Sequence, residues 1–237
     1  MSTRQASRPI PLALTMLVAL FSALVALAVS GGHDAAAHGD HQHATAASAA
    51  AAHGMIVTPR TVAFHDEMRR LWEDHVTWTR LAIISLTIDA PDTQATVGRL
   101  LENQADIGDA IKPFYGDAAG EELTRLLRDH ILIAADLIAA AKAGDQTAVA
   151  KEQARWTANA DQIASFLASA NPRFWPLDEM KAMLREHLRL TTNEVLARLR
   201  ADWEADVASY DAIHLQALDM ADMLSNGIIN QFPGRFH

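Results

Sequence analysis

The sequence contains no cysteine. A disulfide framework is therefore excluded, as is a lipid-modified cysteine after an export signal, and any stability must come from burial. Signatures of common enzyme chemistries are missing too. There is no Gly-x-Ser-x-Gly nucleophile elbow, phosphate-binding Walker loop, dinucleotide glycine fingerprint, His-Glu-x-x-His zinc motif or Asp-x-Asp pair. The formal charge of −9, with no basic stripe to offset it, argues against a nucleic-acid partner. No stretch shows the alternation of a half-buried strand.

What is present begins with an export-type N-terminus. Arg4 and Arg8 precede an uncharged run from Ile10 to Val29 that ends in Ser30-Gly31-Gly32. A basic start, an apolar run and small residues read as a signal peptide over 1–30. The run is also long enough for a membrane anchor. Both readings place the remainder outside the cytoplasm, and the membrane is met only through this segment. Residues 31–57 are rich in Ala and His, including His33, His38, His41, His43 and His53, with almost no large apolar side chain. Such a tract cannot repay its ordering entropy and reads as a disordered linker. Its histidines could bind a metal weakly or serve only as spacer.

From residue 58 onward the period is helical. Thr58-Pro59 is a helix start, and Val62, Met68, Leu71, Trp72, His75, Trp78, Ala82, Ile83 and Leu86 form one face. Breaks are expected at Asp89 to Asp92, at Lys112-Pro113, at Gly144 with Asp145 capping the next helix, and at Asn171-Pro172. Between 177 and 230 no Gly or Pro interrupts the pattern until Gly227 near its end, yet one helix that long would be exceptional.

A repeat resolves the point. His75, Asn103, His130, Asn159, His187 and His214 are separated by 28, 27, 29, 28 and 27 residues. Each histidine of the first, third and fifth positions sits in a similar phrase: Leu71 to Val76, Leu126 to Ile131 and Met183 to Leu188. Arg99-x-x-x-Asn103-x-x-x-Ile107 also matches Arg155-x-x-x-Asn159-x-x-x-Ile163. A helical hairpin of about 56 residues is thus present three times, and the missing turn falls at Arg200 to Asp202. The expected fold is all-α, an up-and-down bundle over 58–237 with mid-helix residues at one height. Were 177–230 one helix, His187 and His214 would lie about 40 Å apart at 1.5 Å per residue.

The polar series therefore predicts one layer across an apolar core. Neutral imidazoles suit Zn, Cu or Fe, and three histidines with an open fourth position form a catalytic zinc arrangement. His75, His130 and His187 are the preferred ligands, with His214 a fourth. Asn103, Asn159, Thr79 and Thr191 are the candidates to hydrogen-bond and orient the rings. Three readings remain open: a transition-metal-binding protein, a non-catalytic envelope or surface protein whose polar layer sets helix register, and a metal-dependent hydrolase or transferase.

The chain also resembles a group of small, mostly bacterial helical proteins without established biochemistry. The similar stretches are Leu71 to Ser85, Phe114-Tyr115-Gly116, Trp156 to Ala164 and Gln231-Phe232-Pro233, spread over nearly all of 60–233. The resemblance implies the helical fold. Some of that group bear glycosyltransferase or acetylglutamate kinase labels, and the resemblance brings with it no catalytic residue.

Overall fold

The computed structural model describes residues 57–237. The signal or anchor segment at 1–30 lies outside the described residues. So does the linker apart from Val57, with its histidines His33, His38, His41, His43 and His53.

The described chain forms six helices and no strand: α1 (Pro59–Ile88), α2 (Thr93–Tyr115), α3 (Asp117–Ala143), α4 (Gln146–Ala170), α5 (Leu177–Leu199) and α6 (Trp203–Gln231). A short 3-10 turn, Pro233–Arg235, follows. No helix among the described residues is long and apolar enough to cross a membrane. Each helix packs on the next, α6 closes back on α1, and α1 also reaches α3 and α5. The result is an up-and-down bundle of three hairpins, α1–α2, α3–α4 and α5–α6.

Local chemistry explains the boundaries. Thr58 caps α1 by accepting from Thr61 N–H, Thr61 answers with its own hydroxyl at the Thr58 N–H, and Pro59 starts the first turn. Asp89 and Gly144 end α1 and α3 in the left-handed region, at φ 54° and 72°. Asp145 and Asp202 cap α4 and α6 by accepting from Ala148 and Ala205 N–H. The turn expected at Arg200 to Asp202 is present, and Ala201 takes φ 57° to make it. One expected stop moves. Pro113 does not end α2 but lies in its last turn, which closes at Gly116 (φ 86°). There the missing N–H leaves one helical hydrogen bond unmade.

Helices α2 and α3 approach closely because Gly108 and Gly120 face one another. A Cβ on Gly108 would lie 2.5 Å from the Gly120 carbonyl oxygen, and one on Gly120 would lie 2.6 Å from the Gly108 carbonyl oxygen. At the end of the bundle that holds the start of α1 and the C-terminal residues, Phe64, Phe114, Phe232 and Phe236 pack together, and Tyr115 donates to Gln231 Oε1. Thr58 Oγ1 donates to the Phe236 carbonyl at 2.6 Å, joining the first turn of α1 to the C-terminus. Met68, Trp72, Leu126, Trp156, Trp175 and Met220 belong to one continuous core. Val62, expected on the buried face, is exposed, as is Trp203.

Candidate functional site: a three-imidazole layer

The first helix of each hairpin brings one histidine to the bundle interior. His75 on α1, His130 on α3 and His187 on α5 are 4%, 5% and 4% exposed. The His187 ring centroid lies 5.9 Å from that of His75 and 6.3 Å from that of His130. Trp72 meets His75 edge-on at 5.5 Å, and Trp156 lies 5.2 Å from His130.

The second helix of each hairpin answers with a side-chain amide 29 residues later. His130 Nδ1 lies 2.8 Å from Asn159 Oδ1, and His187 Nδ1 lies 3.0 Å from Gln216 Oε1. In each case the amide nitrogen donates to a backbone carbonyl one turn before the histidine, Leu126 at 3.0 Å and Met183 at 3.3 Å. That donation turns the amide oxygen toward the ring. An oxygen can only accept, so Nδ1 must carry the hydrogen in both rings, and a neutral ring then bears its lone pair at Nε2.

The first hairpin divides the task between two residues. Asn103 Nδ2 donates to the Leu71 carbonyl at 3.0 Å, which is the backbone half of the pattern. Gln104, which is 29 residues after His75, has its amide nitrogen 3.3 Å from His75 Nδ1. The same nitrogen donates to the Leu100 carbonyl and to Asn103 Oδ1. Gln104 Oε1 is buried without a hydrogen-bond partner among the described residues.

The layer is electrically neutral at ordinary pH. Burial pushes the His75 imidazolium down to about 3, and the nearby His187 and His130 push in the same direction. His130 is likewise held down to about 3 by burial and then by His187. Burial also lowers His187, against its hydrogen bond with Gln216. A proton on one ring would be buried and would repel any proton on the next.

Two sequence expectations need correction. His214 does not join the layer: its side chain is 31% exposed, its Nε2 lies 2.8 Å from Glu73 Oε1, and it stacks on Tyr210. Gln216 takes the place assigned to it, and two residues along a helix is roughly 200° around the axis. The signal was in the sequence, since the 29-residue step from His130 to Asn159 leads from His187 to Gln216. Thr79 and Thr191 do not bond the rings either. Thr191 Oγ1 donates to the His187 carbonyl at 2.9 Å, while Thr79 Oγ1 is buried with no partner among the described residues.

Small apolar cavities flank the layer. One of about 50 Å³ includes Thr79, Ala134 and Thr191 in its lining, each four residues beyond an imidazole. The other, about 30 Å³, is lined by Met68, Trp72, Met183 and other core residues. The indole N–H groups of Trp72 and Trp156 are buried and lack partners among the described residues. Among the described residues no group of three or more His, Cys, Asp or Glu side chains stands in metal-holding geometry.

A second polar cluster, which sequence periodicity did not single out, joins α1, α5 and α6. Arg80 pairs with Glu194 at 2.6 Å and with Asp206 at 2.7 Å, and Arg198 pairs with Asp206 at 2.7 Å. Glu194 and Asp206 are 1% and 2% exposed. Burial pushes the Glu194 carboxyl up to about 7 against the pull of Arg80. Burial also pushes Asp206 up, but hydrogen bonds from Arg80 and Arg198 outweigh it and hold that carboxyl below its ordinary value.

Comparison with protein-family models, with curated proteins and with solved structures finds no match.

Proposed function

We propose that this chain is an exported helical-bundle protein that holds a transition metal, Zn, Cu or Fe, through His75, His130 and His187. It does so through Nε2 of His130 and His187 as they stand, and through Nε2 of His75 once the Gln104 amide turns over and its unpartnered Oε1 takes the Nδ1 hydrogen. The observation that carries the reading is the amide capture of Nδ1 in His130 and His187. Metal-bound histidines characteristically donate the other ring N–H to an oxygen, which fixes the tautomer and aims the ligating nitrogen. A neutral ring is also what a metal requires. Zinc–nitrogen bonds of about 2.0–2.1 Å put two imidazole centroids that share one ion about 5 Å apart. The observed 5.9 and 6.3 Å call for the rings to close by about 1 Å. Export is supported by Arg4, Arg8 and the uncharged run from Ile10 to Val29.

A second reading has its own support. The same amides tie paired helices together, and a buried polar layer paired in this way fixes register without any ligand, with Gln104 Oε1 the one amide oxygen of the layer left unpartnered among the described residues. The absence of a ready metal-holding group among the described residues favours this reading. A hydrolase or transferase would need substrate to reach the rings, which are 4–5% exposed.

The deciding experiment is elemental analysis of protein stripped with chelator and refolded with Zn²⁺, Cu²⁺ or Fe²⁺. Two variants separate the core from the tail: one with His33, His38, His41, His43 and His53 changed to Ser, the other with His75, His130 and His187 changed to Gln. Metal binding predicts one tightly held equivalent in the tail variant and none in the core variant. An empty tail variant that is fully folded by circular dichroism leaves the register reading standing and sinks the metal.

A further inference from the structure

The packing is uneven across the layer. On one side the large apolar residues join the continuous core, from which only some members, among them Leu137, Ala141, Trp156 and Leu196, reach the cavity on the other. On the other, Ala82, Leu100 and Ile131 form one small cluster and Ile83, Ile138 and Val195 another, and neither belongs to the main core. All six line the cavity of about 50 Å³. Protein interiors normally leave few voids larger than a water molecule, because unfilled space forfeits dispersion contacts. The void is walled by carbon: Thr79 and Trp156 line it, but their unpartnered Oγ1 and Nε1 atoms are covered and do not face it, so a water there would lack the two to four polar partners it needs. Apolar cavities of about 150 Å³ stay dry and take benzene or xenon. A cavity of about one third of that volume has room for one or two heavy atoms.

We infer that this cavity is a binding site for a small apolar molecule of diatomic size, such as dioxygen, one helical turn beyond the imidazole layer. The walls offer dispersion contacts and no partner for a charge, so ions and water are excluded and an uncharged gas is admitted. Thr79, Ala134 and Thr191 stand one turn beyond the three histidines, so an occupant would lie within about one helical turn of the rings. The site does not rest on metal binding, and it is tested on metal-free, chelator-treated protein.

Xenon is the first probe, by diffraction from pressurised crystals and by xenon NMR in solution. The expected result is one dominant xenon site between Ala82, Ile131 and Val195. It should be lost in Ala82→Leu, whose added carbons fill the void. Ala134→Val serves as a second filling variant, and circular dichroism establishes that the fold is retained. Dissolved dioxygen is the second probe: the methyl groups of Ile83, Ile131 and Val195 should relax faster than similarly buried methyls of Leu188 and Ile229, which belong to the main core and line neither cavity. No xenon in the wild-type cavity, xenon undiminished in folded filling variants, or relaxation spread evenly over both sets of methyls would each overturn the inference.

Discussion

His130 and Asn159 hold each other across the α3–α4 hairpin, Nδ1 to Oδ1 at 2.8 Å, while the same amide reaches back to the Leu126 carbonyl at 3.0 Å. One side chain thus fixes both the ring's orientation and the height at which two helices pair. His187 and Gln216 repeat the arrangement in the α5–α6 hairpin with the same 29-residue step. Since α1, α3 and α5 meet inside the bundle, the three hairpins are brought into register by one polar stratum.

Asn159→Ala should therefore cost about 2–4 kcal/mol, since it strands a buried imidazole N–H and removes a bond to a backbone carbonyl. Replacing both partners with Leu should cost less than the sum of the two single losses, because no buried donor is then left unpaired. Urea denaturation of the single and double variants forms a cycle, and a coupling below about 0.5 kcal/mol would show that the pair is not a unit.

Acid should unfold the domain through the same layer. The folded-state values of His75 and His130 lie near 3 against an ordinary 6.5, and His187 is lowered as well. Between those limits the unfolded chain binds protons that the folded chain refuses, so this contribution is intact above about pH 6.5 and is lost as pH falls. Each ring contributes a slope of about 1.4 kcal/mol per pH unit. Glu194 opposes them, since its raised value makes the folded state bind a proton first between its ordinary 4.5 and about 7. The two rings near 3 against one carboxyl leave a net loss of roughly 1.4 kcal/mol per unit between pH 6.5 and 4.5, and the lowered His187 steepens it. Urea midpoints of chelator-treated protein at pH 7.5, 6.5, 5.5 and 4.5 measure it. His187→Gln should be less stable at neutral pH but show a shallower slope.

The fold was largely legible because periodicity and caps agree along the chain: Thr58-Pro59, Gly144 and Asp145 all act where their chemistry says they should. The α5–α6 turn carried only the Asp202 cap and no glycine or proline, because the left-handed position went to Ala201; the repeat revealed it. The layer was legible as three histidines and two asparagines. Gln104 and Gln216 were missed because the repeat was followed through histidine and asparagine alone, although a glutamine amide can make the same bonds. The Arg80 cluster was missed for a different reason. Its members are spread over three helices and obey no period, so only the folded chain brings them together.

The turn itself gives a test. Ala201 at φ 57° carries the strain of a Cβ against the neighbouring carbonyl, about 1–2 kcal/mol for an ordinary residue. Glycine relieves that strain but gains freedom in the unfolded chain. Ala201→Gly should therefore stabilise by about 0.5–1 kcal/mol, seen as a rise in melting temperature. A fall would mean that the turn is not strained.

Arg80 gives the sharpest prediction about the second cluster. It is the partner shared by two buried carboxyls, but the two are not equally dependent on it: Asp206 keeps Arg198, whereas Glu194 has only Arg80 within salt-bridge distance among the described residues. Removing one member of a buried ion pair typically costs about 3–5 kcal/mol, because the other is left uncompensated. Arg80→Met keeps much of the apolar stem of the side chain and removes the charge, so its loss should fall in that range. Glu194 would then stay protonated to higher pH, and the loss should grow as pH rises above 7. Adding Glu194→Leu removes the stranded carboxyl and should recover most of the stability, since apolar replacements of buried pairs are often close to neutral. Urea unfolding of the wild type, the single variant and the double variant at pH 6 and 8 separates these terms. If the double variant is no more stable than Arg80→Met, the cost lies in the bonds that Arg80 gives Asp206 and not in the buried charge of Glu194.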